Sequence, residues 1–149
     1  MSYDLRAATA DDLAAITELE ALCFDDPWSE GAIASHLASK TGVAFLAVSH
    51  DGVPLGYILG MCAGDEAELL RVGVHPEHRA LRIGWNLVDY FLFKLIPLGT
   101  KTCYLEVRAS NCIAQDLYAS NCFREIGVRK RYYKNPTEDA ILMAYHFGE

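Results

Sequence analysis

Between Val43 and Val74 the chain carries three segments of strand character divided by two tight-turn signals, and few folds accommodate such a run. Val43 to Ser49 is apolar and partly β-branched. Asp51-Gly52 follows, a pair suited to the positive φ values of a short hairpin turn. Val53 to Cys62 returns, with Pro54 near the strand start, where a missing N–H is tolerated. Gly64-Asp65 marks a second turn, and Glu68 to Val74 supplies a third strand that Pro76 ends. The run reads as an antiparallel meander.

Helical patterns flank it. Tyr3 to Ala8 reads as a first strand, after which Thr9 caps a helix with Asp12 as its reciprocal partner. Leu13, Ile16, Leu19 and Leu22-Cys23 recur at helical spacing. Pro27-Trp28-Ser29 interrupts the chain, and Ser29 caps a second helix bearing Ile33 and Leu37. After Gly84 a helix carries Leu87, Val88, Phe91, Leu92 and Leu95 on one face, stopped by Pro97 and Gly99. Cys103 to Val107 is a strand, and Ile113 to Ser120 a short helix with Leu117 and Tyr118. Arg124–Tyr132 and Asp139–Phe147 are final strands around a turn at Asn135-Pro136. The order β-α-α-β-β-β-α-β-α-β-β predicts an α+β fold with a mixed α/β sheet, one domain over residues 1–149. A dinucleotide-binding fold would alternate strictly and place its glycine loop after the first strand.

Composition narrows the function classes. No apolar run reaches the roughly 18–20 residues that span a bilayer, since Asp89, Lys94 and Pro97 break Leu87 to Leu98. The start Met-Ser-Tyr-Asp lacks the basic and apolar regions of a signal peptide. Five cysteines, at 23, 62, 103, 112 and 122, form no Cys-x-x-Cys pair and read as reduced thiols in a cytoplasm. His75 and His78 lie in a loop without a nearby cysteine or third histidine, so no metal is expected. A net charge of −7 argues against nucleic-acid binding.

The stretch from Leu69 to Gly84 runs from a strand into a helix N-terminus, where free N–H groups favour an anion and Arg79 and Arg82 add positive charge. Its residues suit either a phosphate site or an ordinary basic loop. Glu106 stands in an otherwise apolar strand, as a solvated residue of an open face or as a functional carboxylate. Tyr118 reads as a core aromatic or a proton donor, and Asn111 as a helix cap. Cys112 sits near a helix start, but no His–acid pair adjoins it to make it a nucleophile. Arg124, Arg129, Lys130, Arg131 and Lys134 form a basic strip.

Pro27-Trp28-Ser29, Ala67 to Val72, Val74-His75-Pro76-Glu77-His78-Arg79, Leu105 to Asn111, Leu117-Tyr118 and Arg131-Tyr132-Tyr133 together resemble the GNAT superfamily of N-acetyltransferases, in particular the ribosomal-protein-alanine N-acetyltransferases. The resemblance implies acetyl transfer from acetyl-coenzyme A to a primary amine, the α-amine of a protein N-terminus (possibly ribosomal) above a small amine or a lysine. A non-catalytic acyl-coenzyme A binder is the remaining alternative. It implies that Val72, Gly73 and Val74 hold the pantetheine arm, while Arg79, Ala80, Leu81, Arg82, Ile83 and Gly84 hold the pyrophosphate. Asn111 and Tyr118 would touch the coenzyme. Glu106 would accept the amine's proton, Tyr118 would protonate the leaving sulfur, and Trp28, Tyr132 and Tyr133 would line the acceptor groove. Two positions depart from the family. Arg82 stands where a glycine is usual, which predicts weakened coenzyme binding; a positive φ there costs an arginine about 1–2 kcal/mol. Cys122-Phe123 replaces Gly-Phe, with Asn121 expected to supply the left-handed residue.

Overall fold

The computed structural model describes residues 2–148; Met1 and Glu149, the ends of the expected domain, lie outside the described residues. The elements run β1 (Tyr3–Ala7), α1 (Leu13–Cys23), α2 (Glu30–Ala38), β2 (Gly42–Ser49), β3 (Pro54–Ala63), β4 (Glu66–Val74), α3 (Ile83–Leu95), β5 (Thr102–Arg108), α4 (Cys112–Ser120), β6 (Arg124–Tyr133) and β7 (Glu138–His146). The expected order is therefore present. The caps form as read: Thr9 N–H donates to Asp12 Oδ2 at 2.8 Å, and Ser29 Oγ accepts from Ala32 N–H at 3.1 Å. The turn glycines Gly52 and Gly64 take φ of 86° and 63°.

Seven strands form one sheet in the order β1-β2-β3-β4-β5-β7-β6. Every pairing is antiparallel except β4 with β5. Helix α3 packs the apolar face anticipated from its spacing onto one side of the sheet, where Leu87, Val88, Phe91 and Leu95 join Ile58, Leu69, Leu105 and Tyr118. Helices α1 and α2 cover the other side of the N-terminal strands through Ile16, Leu19 and Ile33 against Leu46, Tyr57 and Leu59.

Three local expectations are corrected. The chain between β4 and α3 is no open loop but a 3-10 turn over Pro76–Leu81, in which His75 caps by accepting the Glu77 N–H on Nδ1 at 3.1 Å. Helix α3 begins at Ile83, one residue before Gly84. Asn121 is not left-handed: its φ is −98°, and Cys122 takes the positive φ of 70°. The hydrogen bonds explain why. Cys122 N–H donates to Ala119 O and Phe123 N–H to Tyr118 O, both at 3.0 Å, the two bonds of a Schellman stop, and these assign the left-handed residue to position 122. The Phe123 ring then packs 6.0 Å from Tyr118, fixing that tyrosine at the end of α4.

Candidate active site

A cleft opens where β4 and β5 part. Their parallel pairing lasts only from Glu66↔Thr102 to Glu68↔Tyr104. The register of β3 with β4 shifts between Leu59↔Arg71 and Gly60↔Leu69, so Leu70 is an extra residue in β4. Such a bulge bends its strand, and β4 leaves β5 just beyond it. The gap is a cleft of about 540 Å³ walled by β4, the start of α3, β5 and α4.

The β4 wall offers backbone groups. His75 N–H donates to Leu55 O at 2.8 Å, which sets the phase of the antiparallel ladder. Alternation then turns the N–H and C=O of Val72 and Val74 away from β3, toward the cleft. The Val74 carbonyl already accepts from Cys23 Sγ at 3.2 Å and from Arg79 Nε at 3.1 Å. What remains for a ligand there is the N–H of Val74 and both groups of Val72. Gly73 also lines the cleft, but its backbone N–H and C=O turn to Tyr57 of β3, and a Cβ on it would lie 2.6 Å from that ring.

The far end suits an anion. Helix α3 has no side-chain N-cap, and Arg79, Arg82, Gly84 and Trp85 line the cleft around its first turn. Arg82 holds φ 57°, ψ 24°, the left-handed conformation a glycine adopts freely. Its guanidinium lies 4.7 Å from the Trp85 ring. Gly84 needs no positive φ, and a Cβ there would meet Leu117 and Val74 at an ordinary 3.6 Å. Neither packing nor backbone demands that glycine; its bare surface widens the cleft. The residues fit a diphosphate: unpartnered helix N–H groups, a positive helix end and two guanidinium groups. Of the other loop positions, Ile83 is fully buried in the core, the Leu81 carbonyl accepts from Tyr3 Oη at 3.5 Å, and Ala80 belongs to the 3-10 turn.

The middle of the cleft holds two titratable groups. Glu106 and Tyr118 both line it. Alternation along β5 sends Leu105 and Val107 into the core and Glu106 to the opposite face, which α1 and α2 cover only over the N-terminal strands. Arg129 Nε lies 3.5 Å from Glu106 Oε1. Burial, then Tyr133, pushes the Tyr118 phenol above its ordinary range, so it carries its proton at neutral pH. Asn111 Oδ1 accepts from Ala114 N–H at 3.1 Å, capping α4 on the cleft wall. Ser110 N–H donates to Glu138 Oε2 at 2.6 Å, and Arg108 pairs with Glu138 at 3.2 Å; together they anchor the turn that delivers α4.

The tyrosines of β6 come to the same place by a second irregularity. From Arg129↔Ala140 to Tyr133↔Glu138, β6 advances four residues while β7 advances two. Arg131 bridges the excess with φ 52°, its N–H donating to Asp139 Oδ1 at 2.8 Å. Tyr133 lines the cleft under the Arg108 guanidinium, 4.5 Å from its ring. Tyr132 stands half-exposed beside Glu106, whose hydrogen-bonding approach and charge raise its phenol above the usual value. Trp28 is not brought to the cleft. Its ring packs edge-on to His36 at 5.8 Å, among the residues under α1 and α2.

The profile of the acetyltransferase (GNAT) family matches residues 13–122. The chain belongs to that family. As a GNAT protein it is an acetyl-coenzyme A-dependent N-acetyltransferase. It is 34% identical over 137 residues to the [ribosomal protein bS18]-alanine N-acetyltransferase of Escherichia coli K12, covering 89% of this chain and 90% of that one. The crystal structure of the Escherichia coli ribosomal-protein-S18-alanine N-acetyltransferase superposes with a TM-score of 0.90 at 31% identity, over 97% of this chain and 94% of the other. The NatC complex bound to Gag peptide and CoA shares the fold, with a TM-score of 0.86 at 19% identity over 98% and 99% of the two chains.

Two features of this GNAT chain escape a reading of its sequence. Glu20 in α1 is fully buried and takes a bidentate pair from Arg71 of β4, Nε to Oε1 at 3.0 Å and Nη2 to Oε2 at 3.2 Å. The Tyr57 hydroxyl donates to Glu20 Oε1, and Trp28 N–H to Oε2 at 2.7 Å. Arg71 also lies over the Phe24 ring at 3.8 Å. One carboxylate thus ties α1, the chain after it, β3 and β4 at the cleft edge. Glu20 sits in a helical pattern and Arg71 in a strand pattern, and nothing in either pattern announces their contact.

The second is the grouping of His75, Glu77 and His78, whose ligand atoms lie within 4.8 Å of one another. Glu77 supplies the neighbour that the spacing of the two histidines did not suggest. Because His75 Nδ1 accepts the Glu77 N–H, the neutral ring carries its proton on Nε2, and the cap must break before that histidine binds a metal through either nitrogen. Among the described residues no helix is long and apolar enough to cross a membrane, and the five cysteines are free thiols.

Proposed function

We propose that this enzyme acetylates the α-amine of a protein N-terminus, of the ribosomal-protein-alanine kind. The observation that carries the reading is the 34% identity, over about nine-tenths of both chains, to an enzyme named for alanine acetylation of bS18. The geometry agrees with it. The cleft reaches the sheet face carrying Glu106, flanked by Tyr133 and with Tyr132 beside the carboxylate, and α1 and α2 cover that face only over the N-terminal strands. A chain end enters such a face more readily than an enclosed pocket. The exposed thiols of Cys112 and Cys122 suit a reducing cytoplasm.

In the reaction so read, acetyl-coenzyme A supplies the thioester carbonyl. Val72 and the Val74 N–H orient the arm along β4, in the manner of an added strand. Arg79, Arg82 and the first turn of α3 hold the diphosphate. Glu106 accepts the proton that the amine loses as its nitrogen bonds to the acetyl carbon. Tyr118 gives its phenolic proton to the sulfur as the carbon–sulfur bond breaks. Tyr118→Phe is expected to slow transfer by about tenfold or more at an unchanged KM for acetyl-coenzyme A. A wild-type rate would remove Tyr118 from that step.

The acceptor is tested with a panel of peptides differing in their first residue, an alanine start included, assayed with acetyl-coenzyme A beside free lysine and polyamines. The alanine-start peptide should show the highest kcat/KM. Preference for lysine or a polyamine would overturn the α-amine assignment and leave the acetyltransferase intact.

A further inference from the structure

We propose that Glu68 is a specificity-determining residue for this reaction: with Glu106 it forms a carboxylate pair at the apex of the cleft that receives the acceptor amine in its cationic form. The proposal rests on the reading of Glu106 as the proton acceptor.

The sheet register puts the two side chains together. Glu68 pairs with Tyr104 in the last rung before β4 and β5 separate. Residues two apart on a strand share a face, so Glu106 follows Tyr104 on the face that Glu68 occupies. Met61 of β3 pairs with Glu68 and shares that face from the other side. The gap widens immediately beyond: Glu106 lines it, and Glu68 stands on the last paired rung, on the same face, at its narrow end.

The charge around them is incomplete. Glu68 is half-buried, and among the described residues it forms no ion pair. The cation facing the pair is Arg129, 3.5 Å from Glu106 and 58% exposed. Two carboxylates and one guanidinium leave one negative charge over. Burial, then Glu106, raises the Glu68 carboxyl above its ordinary range, as expected of a carboxylate held near another without a counter-charge of its own. A role in packing would be served as well by glutamine. The arrangement fits an incoming ammonium group, which supplies the missing charge and sets its nitrogen beside Glu106; one proton passes to solvent through the carboxylate pair before attack, and Glu106 takes the second as the nitrogen bonds to the acetyl carbon.

The test uses the intact enzyme and two acceptors of equal length: a peptide with an ordinary α-amine, charged at neutral pH, and the same peptide starting with an aminooxy group, which is uncharged there. Glu68→Gln should raise KM for the charged acceptor by about fivefold or more. KM for the aminooxy peptide, KM for acetyl-coenzyme A and kcat should stay near their starting values. Glu68→Asp, which retains the charge, should recover most of the loss. Equal effects on both acceptors, or no change in either KM, would overturn the proposal. A thermal melt of each variant separates a folding defect from a binding defect. If a small amine proves the better acceptor, the same split on that amine decides the role of Glu68 independently of the peptide assignment.

Discussion

Glu106→Gln is expected to lower kcat by about 10²–10⁴-fold, the usual contribution of a positioned proton acceptor, with coenzyme A binding intact. The amide retains the shape of the carboxylate and removes only its capacity to take the proton. The fold should tolerate the change: the one ion pair lost is with Arg129, whose side chain is more than half exposed, and exposed pairs contribute about 0–1 kcal/mol. Steady-state kinetics gives the rate, and calorimetric titration with coenzyme A confirms that the other end of the cleft still binds. Turnover at the rate of the unaltered enzyme would assign the proton to another acceptor, and Glu68 would be the next candidate.

Arg71→Met is expected to destabilise the fold by about 3–5 kcal/mol, because it leaves the fully buried Glu20 carboxylate without its cation. For a chain of this size that lowers the melting temperature by on the order of 10 °C. The Tyr57 hydroxyl and the Trp28 N–H would still donate to Glu20, but neither carries a charge. The ammonium stem of a lysine would not repair the loss, since the pairing is bidentate and the guanidinium also stacks on Phe24. Adding Glu20→Gln to Arg71→Met should recover part of the stability, so the double variant loses less than the sum of the two singles. Denaturant unfolding of all four proteins measures the coupling. A single-variant loss below about 1 kcal/mol, the range of a surface pair, would mean that this network does not hold α1 on the sheet.

Local chemistry was legible wherever it acts through near neighbours. Thr9 with Asp12, Ser29, and the glycines at 52 and 64 each act within four residues, and each forms the structure its type prescribes. The face of α3 was equally readable, because helical spacing and burial coincide from Leu87 to Leu95. The irregularities were not. Leu70 looks like any strand residue, and its extra place in β4 becomes visible only against the register of β3. The doubled advance of β6 before Tyr133 depends on Asp139 across the hairpin. Asn121 seemed the better left-handed residue by type, yet the hydrogen bonds of the helix stop select Cys122. Arg82 shows the reverse: the resemblance to the family flagged its position, and its φ of 57° matches a site built for glycine. The candidate site follows the same division. Residues of one segment, such as Arg79 and Gly84 or Glu106 and Asn111, could be grouped in advance. Glu20 with Arg71, and Glu68 with Glu106, meet only through tertiary pairing.

The three-rung ladder between β4 and β5 gives the molecule a seam. On one side four antiparallel strands hold together, on the other three, and the backbone hydrogen bonds joining these halves end at Tyr104. Along the rest of the seam α3 and α4 wall the gap. In the binding mode proposed above, a substrate lying between them becomes a temporary member of the sheet, bonded to β4 and pressed against α4. Its departure returns two free edges to water. Breathing of the two halves and release of product are then the same motion, and a change that stiffens the seam would slow the exit of product as surely as it steadied the fold.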